Sequence, residues 1–171
     1  MGDLRKLGAL LLGLAAALPS GAHAGGIPGS KERISFEGLV GRHESRPIPD
    51  YDGLGWGSIW AIGKGLYKDQ QGFHAVLEGK VAAANLNGAG IISRDDSSKF
   101  TFRSGHFAAF GSVSVQTTFK GYQQGVVVGT LVVTLPPADT AVQFDKTFAH
   151  IDRFTIEGLR PIAFDNLHVG F

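Results

Sequence analysis

Short apolar runs broken by turn residues recur along the chain, and the clearest of them alternates. Within residues 112–120, Val113, Val115 and Phe119 stand between polar residues. Alternation with a period of two residues is typical of a strand with one buried and one wet face, as in an antiparallel sheet. The run 126–135 is apolar almost throughout, so we predict that it lies centrally in a sheet.

Similar runs begin at residue 34 and are separated by Gly, Pro, Asn and Asp. The strand candidates are 34–40, 58–62, 80–86, 90–93, 99–103, 106–110, 112–120, 126–135, 140–148, 150–157 and 162–169. No segment keeps the 3.6-residue apolar spacing of a helix for more than about a turn or two. About ten short strands without helices predict an all-β fold, a single-domain antiparallel β-sandwich of the jelly-roll type.

The first residues have the pattern of a secretory signal peptide. Arg5 and Lys6 precede an apolar run from 7 to 18, and Ala-His-Ala follows at 22–24. Export and signal peptidase require this arrangement, and the run is shorter than the about 20 apolar residues that span a bilayer. We therefore expect a secreted or periplasmic protein with a signal peptide at 1–24, a flexible lead-in at 25–33 and the β-sandwich domain at 34–171.

The composition narrows the choice of partners. Lys and Arg number 16 and Asp and Glu 15, and both signs are scattered along the chain. Nucleic acids and anionic membranes are bound through clustered basic residues, so we expect no nucleic acid partner and no membrane insertion after processing. Cysteine is absent, which leaves core burial, with or without a bound ion, as the source of stability.

Five segments, taken in order, resemble a known family. They are Ser-Phe-Glu-Gly-Leu at 35–39, Ile-Pro-Asp-Tyr-Asp-Gly-Leu-Gly-Trp at 48–56, Phe-Thr-Phe-Arg-Ser-Gly-His-Phe at 100–107, Thr-Phe-Lys-Gly-Tyr at 118–122 and Ile-Ala-Phe-Asp-Asn-Leu-His-Val at 162–169. With these segments the chain resembles small secreted bacterial β-sandwich proteins, similar to carbohydrate-binding modules and to exported proteins of the PEP-CTERM type. The resemblance implies a jelly-roll sandwich with a secreted, non-catalytic role in binding a polysaccharide or other glycan. The chain departs from the PEP-CTERM type because it has no Pro-Glu-Pro motif or basic tail.

The resemblance also implies a structural calcium ion as cofactor. Related sandwich modules hold one where the first and last strands meet, and the matching positions here are Glu37 and Asp165. Calcium takes about six to eight hard oxygen ligands, so two carboxylates from the ends of the domain could anchor it. In the alternative interpretation, Glu37 is solvated and Asp165 with Asn166 forms a turn or cap.

The segment 48–60 contains the predicted ligand contacts. Three aromatic residues and two acids lie there in what we expect to be a loop: Tyr51, Trp56, Trp60, Asp50 and Asp52. Sugar rings stack on aromatic faces while their hydroxyls bond to acids, which is why this combination indicates carbohydrate binding. In the alternative interpretation, Trp56 and Trp60 are core residues of the sandwich.

Catalytic motifs are missing, and we name no catalytic residue. The chain has no Gly-x-Ser-x-Gly, no His-Glu-x-x-His and no Cys. Two carboxylates suffice for a glycosidase, so a small secreted glycoside hydrolase or other hydrolase is one alternative function. Its formal candidates are Glu37, Glu78, Asp95, Asp96 and Glu157. An outer-membrane or matrix structural protein is a second alternative, since alternating apolar residues precede the terminal Phe171.

Overall fold

The structure, a computed structural model, describes residues 31–76, 78–94, 96 and 98–171. The predicted signal peptide at 1–24, the lead-in up to residue 30 and the candidate Asp95 lie outside the described residues. The strands are β1 Lys31–Ile34, β2 Ser45–Pro47, β3 Gly55–Gly57, β4 Trp60–Gly63, β5 Val81–Ala84, β6 Gly90–Ser93, β7 Thr101–Ala109, β8 Val115–Gln123, β9 Val126–Leu135, β10 Thr140–Gln143, β11 Arg153–Gly158 and β12 Ile162–Gly170. One helix, α1 Gln71–Val76, and one 3-10 turn, Lys146–Phe148, complete the described elements.

The strands form two antiparallel sheets that face each other. The seven-stranded sheet has the order β10-β7-β12-β5-β4-β2, with β1 also paired to β12, and the five-stranded sheet has the order β3-β6-β11-β8-β9. From β6 to β12 the chain crosses repeatedly between the two sheets, as it does in a jelly roll. The predicted all-β, single-domain antiparallel sandwich of the jelly-roll type is therefore confirmed.

Phenylalanine side chains fill the space between the sheets. Phe102 of β7 stacks on Phe154 of β11 with ring centroids 4.0 Å apart, which joins the two sheets directly. Phe107 and Phe119 make a second contact across the core, edge to face at 4.9 Å. All four are completely buried. Rings in edge-to-face and stacked pairs add to the stabilisation that burial itself supplies.

A second apolar cluster lies on the outer face of the seven-stranded sheet, under α1. Phe73 and Val76 of the helix pack there against Ala82, Ala108 and Phe110. The sequence prediction of a fold without helices missed α1, because one and a half turns are too short to show a periodic apolar stripe. Among the described residues, no helix is long and apolar enough to cross a membrane.

The position predicted for β9 was wrong. The strand lies at the edge of the five-stranded sheet, and Val126, Val127, Val128 and Val132 are exposed. A turn at 124–125 makes β9 the hairpin partner of β8, and the chain then crosses to the other sheet, so no further strand covers it. An apolar run alone does not distinguish a central strand from an uncovered edge strand.

Several further strand predictions were wrong in their bounds, among them 140–148, where β10 ends at Gln143 and a 3-10 turn follows at Lys146–Phe148. The strand predicted at 34–40 ends at Ile34, and the following residues turn, with Gly38 at a φ of +81° and Leu39 N–H donating to Phe36 O at 3.2 Å. The predicted strands 99–103 and 106–110 are one strand, β7, because Ser104 and Gly105 continue the ladder to β10. The predicted loop at 48–60 contains β3 and the start of β4.

Candidate functional site

Three loops meet at one end of the sandwich, which we call the loop end. They connect β6 to β7, β8 to β9 and β10 to β11. Phe100 and Ile151 exchange two backbone hydrogen bonds of 2.8 and 2.9 Å, and the Gln123 side chain donates to His150 O at 2.9 Å. Because the loops are bonded to one another, their side chains are held in place by a rigid support.

The first cleft at the loop end, the arginine cleft, has a volume of about 370 Å³. Its polar lining side chains come from all three loops and the strands beside them: Ser93, Arg94, Lys99, Gln124, Asp152 and Arg153. Arg153 lies over the ring of Tyr122, with its guanidinium carbon 4.0 Å from the ring centroid. A cation held against an aromatic face has little freedom, so its direction is fixed before any ligand arrives.

Within this cleft, the charge of Arg94 is already balanced. The side chain of Arg94 donates to both carboxylate oxygens of Asp96, at 3.2 and 3.1 Å. Hydrogen bonds from Ser98, and then the contact with Arg94, lower the pKa of Asp96 to about 2. Asp96, a formal hydrolase candidate, is therefore ionised at neutral pH and held by Arg94.

The second cleft at the loop end, the Phe144 cleft, measures about 480 Å³. The half-buried ring of Phe144 lies against Phe102, Phe119, Phe148 and Phe154 at centroid distances of 4.9 to 5.3 Å. The polar residues that line the cleft around this ring are Thr101, Arg103, Gln143, Asp145 and Lys146. The cleft thus places an aromatic ring next to an amide and charged groups of both signs.

Asp145 begins the 3-10 turn that follows β10. Its carboxylate accepts a hydrogen bond from Thr147 N–H at 2.8 Å and another from the Thr147 hydroxyl. These bonds lower the pKa of Asp145, so the side chain stays ionised at the mouth of the Phe144 cleft. The turn therefore fixes both the backbone and the charge of this part of the loop end.

The predicted ligand residues divide between the surface and the core. Asp50 is exposed, and Asp52 is half-buried in a tight turn with a φ of 51°. Tyr51 is half-buried, and its hydroxyl donates to Ser35 O at 2.9 Å. Burial, and then the charge of Asp52, raise the pKa of Tyr51. Tyr51 and the two acids are thus brought together on one turn, with the tyrosine fixed by its hydroxyl.

Trp56 and Trp60 do not extend this turn into an aromatic platform. Trp56 is only 6% exposed, and its indole N–H donates to Tyr51 O at 3.0 Å, so it holds the turn from the core side. Trp60 is half-buried and packs against the cluster under α1 on the outer face of the other sheet. Because the ring of Trp56 is enclosed, it offers no face to a ligand in this conformation.

The turn that contains Tyr51 is nevertheless a neighbour of the arginine cleft. Gly55, which follows the turn, pairs with Ser93 in the five-stranded sheet, and Ser93 lines the cleft. The turn that contains Tyr51, Asp50 and Asp52 is therefore followed by a strand that pairs with β6, at the residue where β6 lines the arginine cleft.

The predicted metal residues Glu37 and Asp165 are brought to the same segment of chain. Glu37 Oε1 accepts backbone N–H groups from Lys80 and Val81, at 2.7 and 3.0 Å, and Asp165 Oδ2 accepts that of Glu78 at 3.2 Å. β1 and β12 are hydrogen-bonded neighbours, so the first and last strands do meet close to these carboxylates. Both side chains fasten the connection between α1 and β5.

Asp165 is the unusual member of this group. The side chain is completely buried, and desolvation raises its pKa from 3.8 to about 7, against the lowering effect of hydrogen bonds from the N–H groups of Asn166 and Glu78. The negative charges of Glu37 and Glu78 raise it further. A buried carboxyl with like charges nearby favours its neutral form.

The residues around Asp165 provide only part of the oxygen coordination that calcium requires. Three carboxylates and the Asn166 amide supply hard oxygens, but the guanidinium of Arg33 already pairs with Glu78 and donates to Asn166 Oδ1 at 2.7 Å. Among the described residues, no group of three or more His, Asp or Glu side chains is arranged to hold a metal ion. The present arrangement therefore supplies some oxygen ligands for a cation but not a complete set.

Sequence reasoning missed the residues of both clefts at the loop end. Arg153 and Tyr122 lie 31 positions apart in the chain, and only the pairing of β11 with β8 puts them opposite each other. The predicted strand 140–148 includes Phe144, although Asp145 and Thr147 form a helix-cap pattern that indicates a turn there.

No family model matches this chain, and no curated protein matches it either. Among solved structures, the chain is similar to the carbohydrate-binding module TmCBM61 in complex with β-1,4-galactotriose, with a TM-score of 0.41 and 12% sequence identity over 79% of this chain and 92% of that chain. A similarity of this degree assigns no ligand and no site residue to the present chain.

Proposed function

We propose that the protein is a non-catalytic carbohydrate-binding module whose ligand lies at the loop end. The observation that carries this proposal is the Phe144 cleft, where a half-buried aromatic ring lies among Arg103, Gln143, Asp145 and Lys146. Sugars need an apolar face for their C–H groups and directional donors and acceptors for their hydroxyls. The cleft offers both within one open depression.

The rigidity of the loop end supports the same function. Backbone bonds join the loops at Phe100 and Ile151, and Phe144 N–H donates to Arg103 O at 2.8 Å. Binding to a preformed site avoids the entropic cost of ordering loops, which matters for ligands that gain little from each contact. In this proposal Tyr51, Asp50 and Asp52 remain additional contacts for a ligand that extends beyond the clefts.

The test is a glycan array followed by calorimetry on the best ligand. Gln143→Ala and Lys146→Ala should each weaken binding by about tenfold, because each removes hydrogen bonds to the sugar. Arg160→Ala, an exposed change in the turn between β11 and β12 at the opposite end, is the matched control and should bind as the original chain does. Absence of binding to every glycan would refute the proposal, and release of reducing ends in the same samples would replace it with a hydrolase.

Export also belongs to this proposal. The pattern of residues 1–24 supports it, because a binding module for polysaccharides has its ligands outside the cytoplasm. Expression in a bacterial host should give a periplasmic or secreted product whose N-terminus is Gly25. A product that retains residues 1–24 in the cytoplasm would contradict this part.

A structural calcium ion at Glu37 and Asp165 is the last part of the proposal. It is supported by the nearness of Glu37 and Glu78 to Asp165, although Arg33 would have to release Glu78 for the ion to be fully coordinated. Calcium should raise the melting temperature in a way that EDTA reverses, and Glu37→Gln should abolish the effect. An unchanged melting temperature with and without EDTA would remove calcium from the account.

A further inference from the structure

The arginine cleft holds more positive charge than its own residues neutralise. Arg94 is paired with Asp96, as described above. Lys99 and Arg153 form no ion pair in the described part of the chain, and neither does Asp152, the carboxylate that lines the cleft. Among the described residues that line the cleft, two cations without an ion pair thus accompany one carboxylate, which is an excess suited to a single anionic group rather than to a polyanion such as a nucleic acid.

Arg153 is the cation whose position is fixed. Its guanidinium is held against the ring of Tyr122, and its buried Nε has no hydrogen-bond partner among the residues described. Because this Nε is buried, the terminal nitrogens of the guanidinium are the donors that Arg153 can offer to a ligand in the cleft. A planar guanidinium lying at a cleft is well suited to bind a carboxylate with two parallel hydrogen bonds.

We infer that the arginine cleft binds the carboxylate of an acidic sugar, so that the ligand of the loop end is a glycan containing uronic acid. This inference rests on the proposed function and names the class of its ligand. Arg153 binds the carboxylate and Lys99 supplies the second positive charge, while Ser93 and Gln124 are placed to bond ring hydroxyls. The cleft volume of about 370 Å³ is within the range of small-molecule sites.

Calorimetry with a matched pair of ligands tests the inference. The full chain is titrated with trigalacturonic acid and with the same trisaccharide as its methyl ester, which is neutral and otherwise nearly identical. The acid should bind about tenfold more tightly than the ester, which is what one charge-assisted carboxylate contact contributes. Raising the salt concentration should weaken the binding of the acid and leave the affinity for the ester nearly unchanged.

Variants assign the effect to the cleft. Arg153→Gln and Lys99→Gln should each reduce the preference for the acid without weakening the binding of the ester. The control Arg160→Gln removes an arginine at the opposite end and should change the affinity for neither ligand. Arg153→Lys should restore part of the preference, because it keeps the charge but loses the planar pair of donors. If Arg153→Gln does not fold, as judged from its melting curve, Lys99→Gln alone decides the result.

Three outcomes would overturn the inference. Equal affinity for acid and ester would overturn it while leaving the proposed function intact. A preference for the acid that survives in both cleft variants would show that the carboxylate is bound elsewhere. Absence of binding to these two ligands and to every other glycan would refute both the inference and the proposed function.

Discussion

The burial of Asp165 predicts how the stability of the protein depends on pH. In the unfolded chain this carboxyl titrates near 3.8, and in the folded protein its burial raises the pKa to about 7. Between these values the folded state binds a proton that the unfolded state does not. The contribution of Asp165 to the free energy of unfolding should therefore be largest at and below pH 4, decrease as the pH rises to about 7, and level off above it.

The magnitude follows from the two pKa values. The difference between 3.8 and about 7, at about 1.4 kcal/mol per pH unit, corresponds to about 4 kcal/mol of stability lost between pH 4 and pH 8. Asp165→Asn removes this titration. It also costs about 1 to 2 kcal/mol at every pH, because an amide has one oxygen to accept the N–H groups of Glu78 and Asn166.

The prediction is tested by measuring the free energy of unfolding with denaturant at several pH values. EDTA is present so that calcium does not contribute. The stability of the original chain minus that of Asp165→Asn should fall by about 4 kcal/mol from pH 4 to pH 8. Asp69→Asn, which removes an exposed carboxylate, controls for the change in net charge. A difference that stays constant, or that grows with pH, would show that Asp165 is held as an ordinary ionised acceptor of two N–H groups and would refute the reasoning.

Three substitutions test the fold, each by denaturant unfolding. Phe154→Ala should cost about 3 to 5 kcal/mol, because it removes the stacked contact with Phe102 between the sheets, and a loss below 1 kcal/mol would contradict that packing. Gly72→Ala should cost about 1 to 3 kcal/mol, since the added Cβ would lie 1.6 Å from Ala109 O, and an unchanged stability would mean that α1 sits elsewhere. Val132→Thr should change the stability by less than about 0.5 kcal/mol, as expected at a site that is 52% exposed, and a large loss would instead place β9 centrally.

The sandwich could be predicted from the sequence because strand patterning is local. The alternation in 115–123 and the breaks at Gly and Pro residues are visible without knowing any partner strand. The position of β9 could not be predicted in this way, because Val126 to Val133 would look the same in a central strand. Whether an apolar strand is covered depends on the order of strands in the sheet, and the order is a property of the whole chain.

The candidate site could be predicted only in part, for a related reason. The resemblance predicts that Glu37 and Asp165 lie together, and the pairing of β1 with β12 explains why both contact the same segment. Aromatic residues near acids occur both in binding sites and in packed cores, so the sequence predicts Trp56 as a ligand contact, and only its burial identifies it as a core residue. Phe144 follows the end of β10 and Arg153 begins β11, and each side chain lines its own cleft at the loop end only after the sheets have formed.

Ligand mapping by NMR tests the central claim, that the glycan is bound at the loop end. Backbone amide shifts of the full chain would be recorded during titration with the tightest ligand from the array. The account predicts that the largest changes fall in the loops β6–β7, β8–β9 and β10–β11, with smaller changes at the turn that contains Tyr51. Changes confined to the opposite end, around 86–89 and 158–161, would contradict the account.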